Sequence, residues 1–250
     1  MLQKTHRFIA KQVVDAAIIS IGKFGRDLVL GCEYEDYSFR ILGYHHFYNP
    51  ENHEGFSKSV ESAKQKGIAL FEEAIQLYKR GRTKQAYYTL GRSFHYLADV
   101  ASPAHTKMIY HLGEDDFEVY TDSYLARFKL NIKLKLVPPM TPNHCFDALA
   151  KRSFNLDYRK TTPMIGFITN LFLRPKVKQT IGMDKNSQAM LESSMVYTMS
   201  MFRYFDLRIA ANAVVVGTSD RMEEAANIIG NLLGRGQCDS PVPVQTIMGK

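Results

Sequence analysis

The stretch Gly91-Arg92-Ser93-Phe94-His95-Tyr96-Leu97-Ala98-Asp99-Val100-Ala101-Ser102-Pro103-Ala104-His105 reads as the end of a helix stopped by Pro103. Thr83 caps that helix, and its pattern runs to about Val100. His95 and Asp99 stand at i and i+4, so they project from one face roughly 6 Å apart. His105 lies just past the break. Three side chains of metal-ligating type therefore gather around one helix end. An isolated His-xxx-Asp pair is better explained as a core histidine bonded to an aspartate one turn away. The Pro-x-His that follows narrows the choice toward a ligand set.

Outward from this helix the chain stays helical in pattern. His6 to about Leu30 carries Phe8, Ile9, Val13, Ala16, Ala17 and Ile19 near a 3.6 period, with Gly31 as its stop. Ser57 is read as the cap of a helix to Arg80, which Gly81 ends. Glu114 to about Leu136 is helical, with Phe117, Tyr120, Tyr124, Leu125 and Phe128 facing inward. Pro138, Pro139 and Pro142 mark a loop. Shorter helices are predicted at Cys145–Phe154 and Gly166–Phe172, a long one at Asn186–Val216 and a last one at Asp220–Leu233. No alternating strand pattern bounded by hairpin turns occurs. The predicted fold is all-α: a single multi-helix domain of about nine to ten helices spanning residues 1–250.

Composition excludes several classes. Over 250 residues, 45% hydrophobic and 23% charged residues rule out a disordered chain or a rod. Cys32, Cys145 and Cys238 are too few and too scattered for a disulfide framework and show no CxxC, so metal chemistry must use histidine and carboxylate. The longest apolar run, Met164 to Leu173, is too short to span a bilayer. The start has no signal-peptide pattern, which predicts a cytoplasmic or membrane-peripheral protein, or a secreted one if the chain is a processed form. The net charge of +7 is uneven: Arg127 to Lys178 holds eleven Lys or Arg against Asp147 and Asp157, whereas Glu114 to Asp122 holds five carboxylates and no Lys or Arg. A basic half suits an anionic partner such as a lipid surface, and equally a solvated face. Lys160, Arg174, Lys176 and Lys178 flank Met164 to Leu173, a layout that suits either interfacial insertion or a buried helix with basic ends.

Three further groups are of ligand type. Asp36-Tyr37 is followed ten residues later by His46-Phe47-Tyr48-Asn49-Pro50 in an irregular aromatic segment. Glu114 and Glu118 form a second i, i+4 pair, although acidic residues in a first turn also serve as dipole caps. Thr5-His6 opens the first helix. His111 lies seven residues before Glu118.

In this order and spacing the groups resemble the zinc-dependent phospholipase C family, small bacterial enzymes that are mostly secreted. The resemblance runs over roughly residues 5–120, and Leu90-Gly91-x-x-x-His95-Tyr96-x-x-Asp99-x-x-x-Pro103-x-His105 is its specific element. It implies zinc ions in a cleft among about ten helices. It assigns Asp36, His46, His95 and Asp99 to one ion, and His105, Glu118 and Glu114 to a second. A third would take His6 and Asp99. The chain departs from the family in having no tryptophan, and in Glu114 where the family has histidine. Two or three zinc ions are therefore expected. The size matches the family's catalytic domain without its appended β-sandwich.

The chemistry implied is phosphodiester hydrolysis. Zinc offsets the anionic substrate and lowers the pKa of water from about 16 toward 7. Asp36 is ligand, orienter or general base; the sequence does not separate these roles. Tyr37 would face a cationic headgroup, and Tyr44, Phe47 and Tyr48 either extend that wall or pack the core. The expected partner is a phospholipid, with an anionic membrane surface and no stable nucleic-acid partner. A single-strand nuclease of the S1/P1 type and a metal-stabilised interaction protein without activity are the alternatives.

Overall fold

A computed structural model describes residues 2–17, 21–37, 44–109, 115–128, 132–156 and 182–216. Among them lie eight α-helices and no strand. The first is α1 (Gln3–Ala16), which buries Thr5, His6, Ile9, Ala10 and Val13 along one stripe. The single helix expected from His6 to Leu30 is in fact two. The first ends at Ala16, where the Ala17 N–H is shared between the Val13 and Val14 carbonyls; Gly22, with a left-handed φ of 53°, opens the segment that leads on to the second. A 3-10 turn (Gly22–Phe24) then leads into α2 (Gly25–Tyr37).

Ser62, not Ser57, caps α3 (Ala63–Lys79), because Gln65 completes a capping box with it. Next come α4 (Thr83–Asp99) and the single turn α5 (Pro103–Thr106). Asp115 caps α6 (Asp116–Tyr124) by accepting from the N–H groups of Phe117 and Glu118. The helix expected to reach Leu136 stops at Tyr124 and gives way to 3-10 turns at Leu125–Arg127 and Leu134–Leu136. From Arg127 to Leu136 apolar residues recur every second position, so no single helical face can be buried there. Phe117 and Tyr120 are buried as expected, whereas Tyr124, Leu125 and Phe128 are only partly so. Thr141 caps α7 (Pro142–Phe154), with Pro142 opening the helix and not continuing the loop. The last described element is α8 (Met183–Val216). The helices expected at 166–172 and 220–233, and the basic-flanked apolar run at 164–173, lie outside the described residues.

The core forms around α4, whose residues from Thr89 to Asp99 are buried except Arg92. It packs on α3 and α2, and α1, α7 and α8 close the bundle. Phe71, Phe94, Phe146, Phe202 and Phe205 are fully buried; each such side chain contributes about 1.5–3 kcal/mol. No described helix is long and apolar enough to cross a membrane.

Candidate metal centre

The centre begins with a contact between two backbones. A Cβ on Gly91 of α4 would lie 2.0 Å from the Leu28 carbonyl oxygen of α2, and one on Gly31 would lie 1.9 Å from the Tyr88 carbonyl oxygen of α4. The two glycines let the helices cross closely enough for His95 Nδ1 to donate to the Cys32 carbonyl oxygen at 2.9 Å. A carbonyl only accepts, so the proton is fixed on Nδ1. In the neutral ring Nε2 then carries the lone pair. Nε2 lies 3.1 Å from Asp99 Oδ2.

Asp99 is the hub, buried at the end of α4. Its Oδ1 lies 3.2 Å from His6 Nε2 and 3.9 Å from His105 Nδ1. Its Oδ2 meets His95 Nε2 and His46 Nδ1. Burial opposes ionisation of Asp99. Surrounding positive charge, His95, His46 and His6 included, overcomes it and holds the carboxyl well below the usual carboxylate range.

Each histidine is positioned by a different element. His6 stacks on His95 with ring centres 4.0 Å apart. Asp122 fixes its helix, accepting from the Thr5 N–H at 2.9 Å and the Thr5 hydroxyl at 3.1 Å. His46 ends a 3-10 turn (Tyr44–His46), and its Nδ1 lies 3.3 Å from His95 Nε2. The backbone after it is tied down: Tyr48 N donates to His105 O, and Ala63 N donates to Phe47 O. Tyr48 Oη donates to Asp147 Oδ1 at 2.5 Å, and Lys64 Nζ donates to both Asp147 oxygens at 2.7 and 2.8 Å. His105, on the turn opened by Pro103, places Nε2 3.2 Å from Glu118 Oε1.

His6, His46, His95, Asp99, His105 and Glu118 therefore converge. The His46 side chain is 21% exposed, against 0% for His6 and His95 and 6% for His105, so His46 is the most solvent-accessible of these histidines. Asp36 and Tyr37 fall in the last turn of α2; their side chains lie outside the described residues. Glu114 and His111 also lie outside them. The orienting groups went unread in the sequence. The Cys32 carbonyl has no side-chain signature, whereas Asp122 stands one turn after Glu118 on α6 and was readable as its neighbour.

The residues fit zinc. His95 Nε2 and Asp99 Oδ2 are buried and face each other at 3.1 Å, so a cation that displaces a proton from Nε2 would be held by both. His6, His95 and Asp99 offer ligand atoms within 4.8 Å of one another. Each separation, 3.1 Å from His95 Nε2 to Asp99 Oδ2 and 3.2 Å from His6 Nε2 to Asp99 Oδ1, is that of two donors sharing an ion held tetrahedrally at about 2 Å. The carbonyl behind His95 is the outer partner that metal-bound imidazoles have.

Fold and site together define an all-helical protein with a buried histidine–carboxylate centre suited to zinc. The zinc dependent phospholipase C profile matches residues 5–159, and the chain belongs to that family. It is 34% identical to a phospholipase C of Bacillus cereus over 90 residues, 34% of this chain and 32% of that protein. It is 28% identical to a phospholipase C of Clostridium perfringens over 119 residues, 42% of this chain and 30% of that protein. The chain thus spans about a third of the length of the curated relatives it matches. An alpha toxin from Clostridium absonum superposes with a TM-score of 0.63 at 14% identity, over 83% of this chain and 64% of that one. The Clostridium perfringens alpha-toxin isolated from avian strain SWCP gives 0.58 at 18% identity, over 88% and 66%. These structural likenesses establish the fold.

Proposed function

We propose that the chain is a zinc-dependent hydrolase that cleaves phospholipids in the phospholipase C manner, giving diacylglycerol and a phosphorylated headgroup. The observation that carries this reading is the placement of Asp99. One oxygen faces His6 and His105 and the other faces His46 and His95, so a single carboxylate could serve two neighbouring cation positions. Two or three zinc ions are assigned. One would be held by His46, His95 and Asp99 with Asp36, a second by His105 and Glu118 with Glu114, and a third by His6 and Asp99.

Bound zinc supplies positive charge against the anionic phosphodiester and makes water more acidic. The chain's own residues prepare that chemistry. Asp99 is kept ionised by the positive charge around it. His95 is locked in one tautomer by the Cys32 carbonyl. His46, the most exposed of the four histidines, marks the side of the centre nearest solvent. The family pattern assigns Asp36 to orienting or deprotonating the attacking water and Tyr37 to the headgroup. Water adds to phosphorus as the bond to the glycerol oxygen breaks, and that oxygen leaves protonated.

The test is release of phosphocholine from short-chain phosphatidylcholine by the zinc-loaded chain, run beside a chelated sample and beside single-stranded DNA. Release that vanishes with chelator supports the reading. Absence of release at full zinc occupancy overturns it, and DNA cleavage in its place assigns the centre to a nuclease.

A further inference from the structure

The basic stretch beyond the metal centre carries a second feature. From Ser123 to Phe146 the chain has no Asp or Glu and four cations, Arg127, Lys129, Lys133 and Lys135. Within it the 3-10 turn Leu134–Leu136 is held rigidly. Leu134 and Val137 are buried anchors on either side. The backbone closes with Leu136 N donating to Lys133 O at 2.9 Å and Val137 N donating to Leu134 O at 3.2 Å. Arg203 of α8 donates from Nη2 to the Lys135 carbonyl at 2.5 Å, and Met140 N donates to Ser200 O at 3.2 Å. The turn packs on α1, which carries His6, and on α8.

Between the two anchors the side chains point the other way. Leu136 is 59% exposed, the most exposed large hydrophobic residue described, and Lys133 and Lys135 beside it are exposed. A lone exposed leucine needs no explanation. A leucine fixed at the tip of a pinned turn, flanked by cations with no carboxylate near in sequence, combines the two attractions of interfacial binding. Those are apolar insertion and pairing with anionic headgroups.

We infer that the turn Leu134–Leu136 is a docking projection for an anionic lipid surface: Leu136 enters the acyl boundary while Lys133 and Lys135 pair with lipid phosphates. The inference rests on the phospholipid reading and names the surface on which that centre works. Because the turn is seated on α1, docking holds the helix bearing His6 at the membrane.

The experiment is sedimentation of the zinc-loaded full chain with phosphatidylcholine vesicles, with and without phosphatidylserine. The variants are Leu136→Ser, the pair Lys133→Gln with Lys135→Gln, and Leu30→Ser as a control at another exposed leucine. The wild-type chain should bind the phosphatidylserine vesicles, and less so as salt rises. Leu136→Ser should weaken binding roughly tenfold. The lysine pair should weaken it roughly 25-fold and flatten the salt dependence. Leu30→Ser should bind like wild type. Unchanged binding in Leu136→Ser, loss in Leu30→Ser, or a lysine effect on single-stranded DNA but not on vesicles would each overturn the inference. Turnover of monomeric short-chain phosphatidylcholine should be equal in all variants. If wild type lacks that turnover, the hydrolase reading fails while vesicle binding still decides the docking.

Discussion

Gly91→Ala is the most telling single perturbation, because it adds one methyl group at the contact on which His95 depends. The new Cβ would stand 2.0 Å from the Leu28 carbonyl oxygen and 2.9 Å from the Cys32 nitrogen. Both are backbone atoms, so no side-chain rotation relieves them. Restoring an ordinary 3.4 Å contact requires α2 and α4 to part by roughly 1.4 Å. The 2.9 Å bond from His95 Nδ1 to the Cys32 carbonyl then exceeds hydrogen-bonding distance. Overpacking costs about 1–3 kcal/mol and the lost bond about 1 kcal/mol. For a chain of this size 3 kcal/mol corresponds to a fall in Tm of roughly 6–12 °C. Zinc affinity should also drop by about 10–100-fold, the usual effect of losing an outer partner of a ligand. The assay is a thermal melt of the zinc-loaded protein together with chelator-competition titration. Gly81→Ala is the control. Gly81 has a φ of 74° with open space around it, so alanine there strains the backbone far from the centre. It should lower Tm and leave zinc affinity unchanged. Wild-type zinc affinity in Gly91→Ala would refute the claim that the glycine crossing sets the His95 ligand.

Further outcomes follow from the same geometry. Asp99→Asn should cost more activity and more bound zinc than His6→Ala, because Asp99 faces four imidazoles and His6 serves one position; equal losses in metal analysis and turnover would contradict the hub role. Asp122→Ala should remove both bonds to Thr5, cost about 1 kcal/mol of stability and reduce zinc at the His6 position first, as read by stepwise metal titration. Chelation should lower Tm, since ligands from distant segments bind metal only in the folded state; coincident melts with and without chelator would sink this. Burial raises the Asp147 pKa, but its bonds from Lys64 and Tyr48 more than offset that and leave it below the ordinary value of 3.8. Its stabilisation is therefore fully present above that value and is lost as pH falls through the lower, folded one. The gap in urea midpoint between wild type and Asp147→Asn should be constant near neutral pH and close below about pH 4; a gap independent of pH would refute it.

What could be read in the sequence was set by the range of each interaction. His95 and Asp99 share a face because the helical period places them there, and His105 follows because Pro103 stops the helix one turn later. These are short-range facts, legible in fifteen residues. Ser62 is legible too, through Gln65 three residues on, whereas Ser57 has Val60 at that position and cannot form the box. Gly31 shows where legibility stops. A glycine after an apolar stretch signals a helix end if its use is conformational, and a helix crossing if its use is the missing Cβ. The choice lies with Tyr88, fifty-seven residues away, whose carbonyl occupies that space. α1 itself ends at Ala16, with the Ala17 N–H turning back onto the Val13 and Val14 carbonyls and no glycine at that point.

The same reasoning separates the two halves of the metal centre. Its donors are side chains, so their identity and order appear in the sequence. What aims them is mostly backbone or lies across the fold: the Cys32 carbonyl behind His95, the Asp122 carboxylate holding Thr5, and the Lys64–Asp147–Tyr48 group behind the His46 segment. A carbonyl has the same composition at every position and leaves no mark in a sequence. Only the two glycines that admit it do, and they mark it as absences of side chain. Leu90-Gly91 four residues before His95 thus belongs to the ligand motif for a physical reason. Gly91 lets α2 come near enough for the Cys32 carbonyl to take His95 Nδ1, leaving Nε2 as the nitrogen turned toward Asp99.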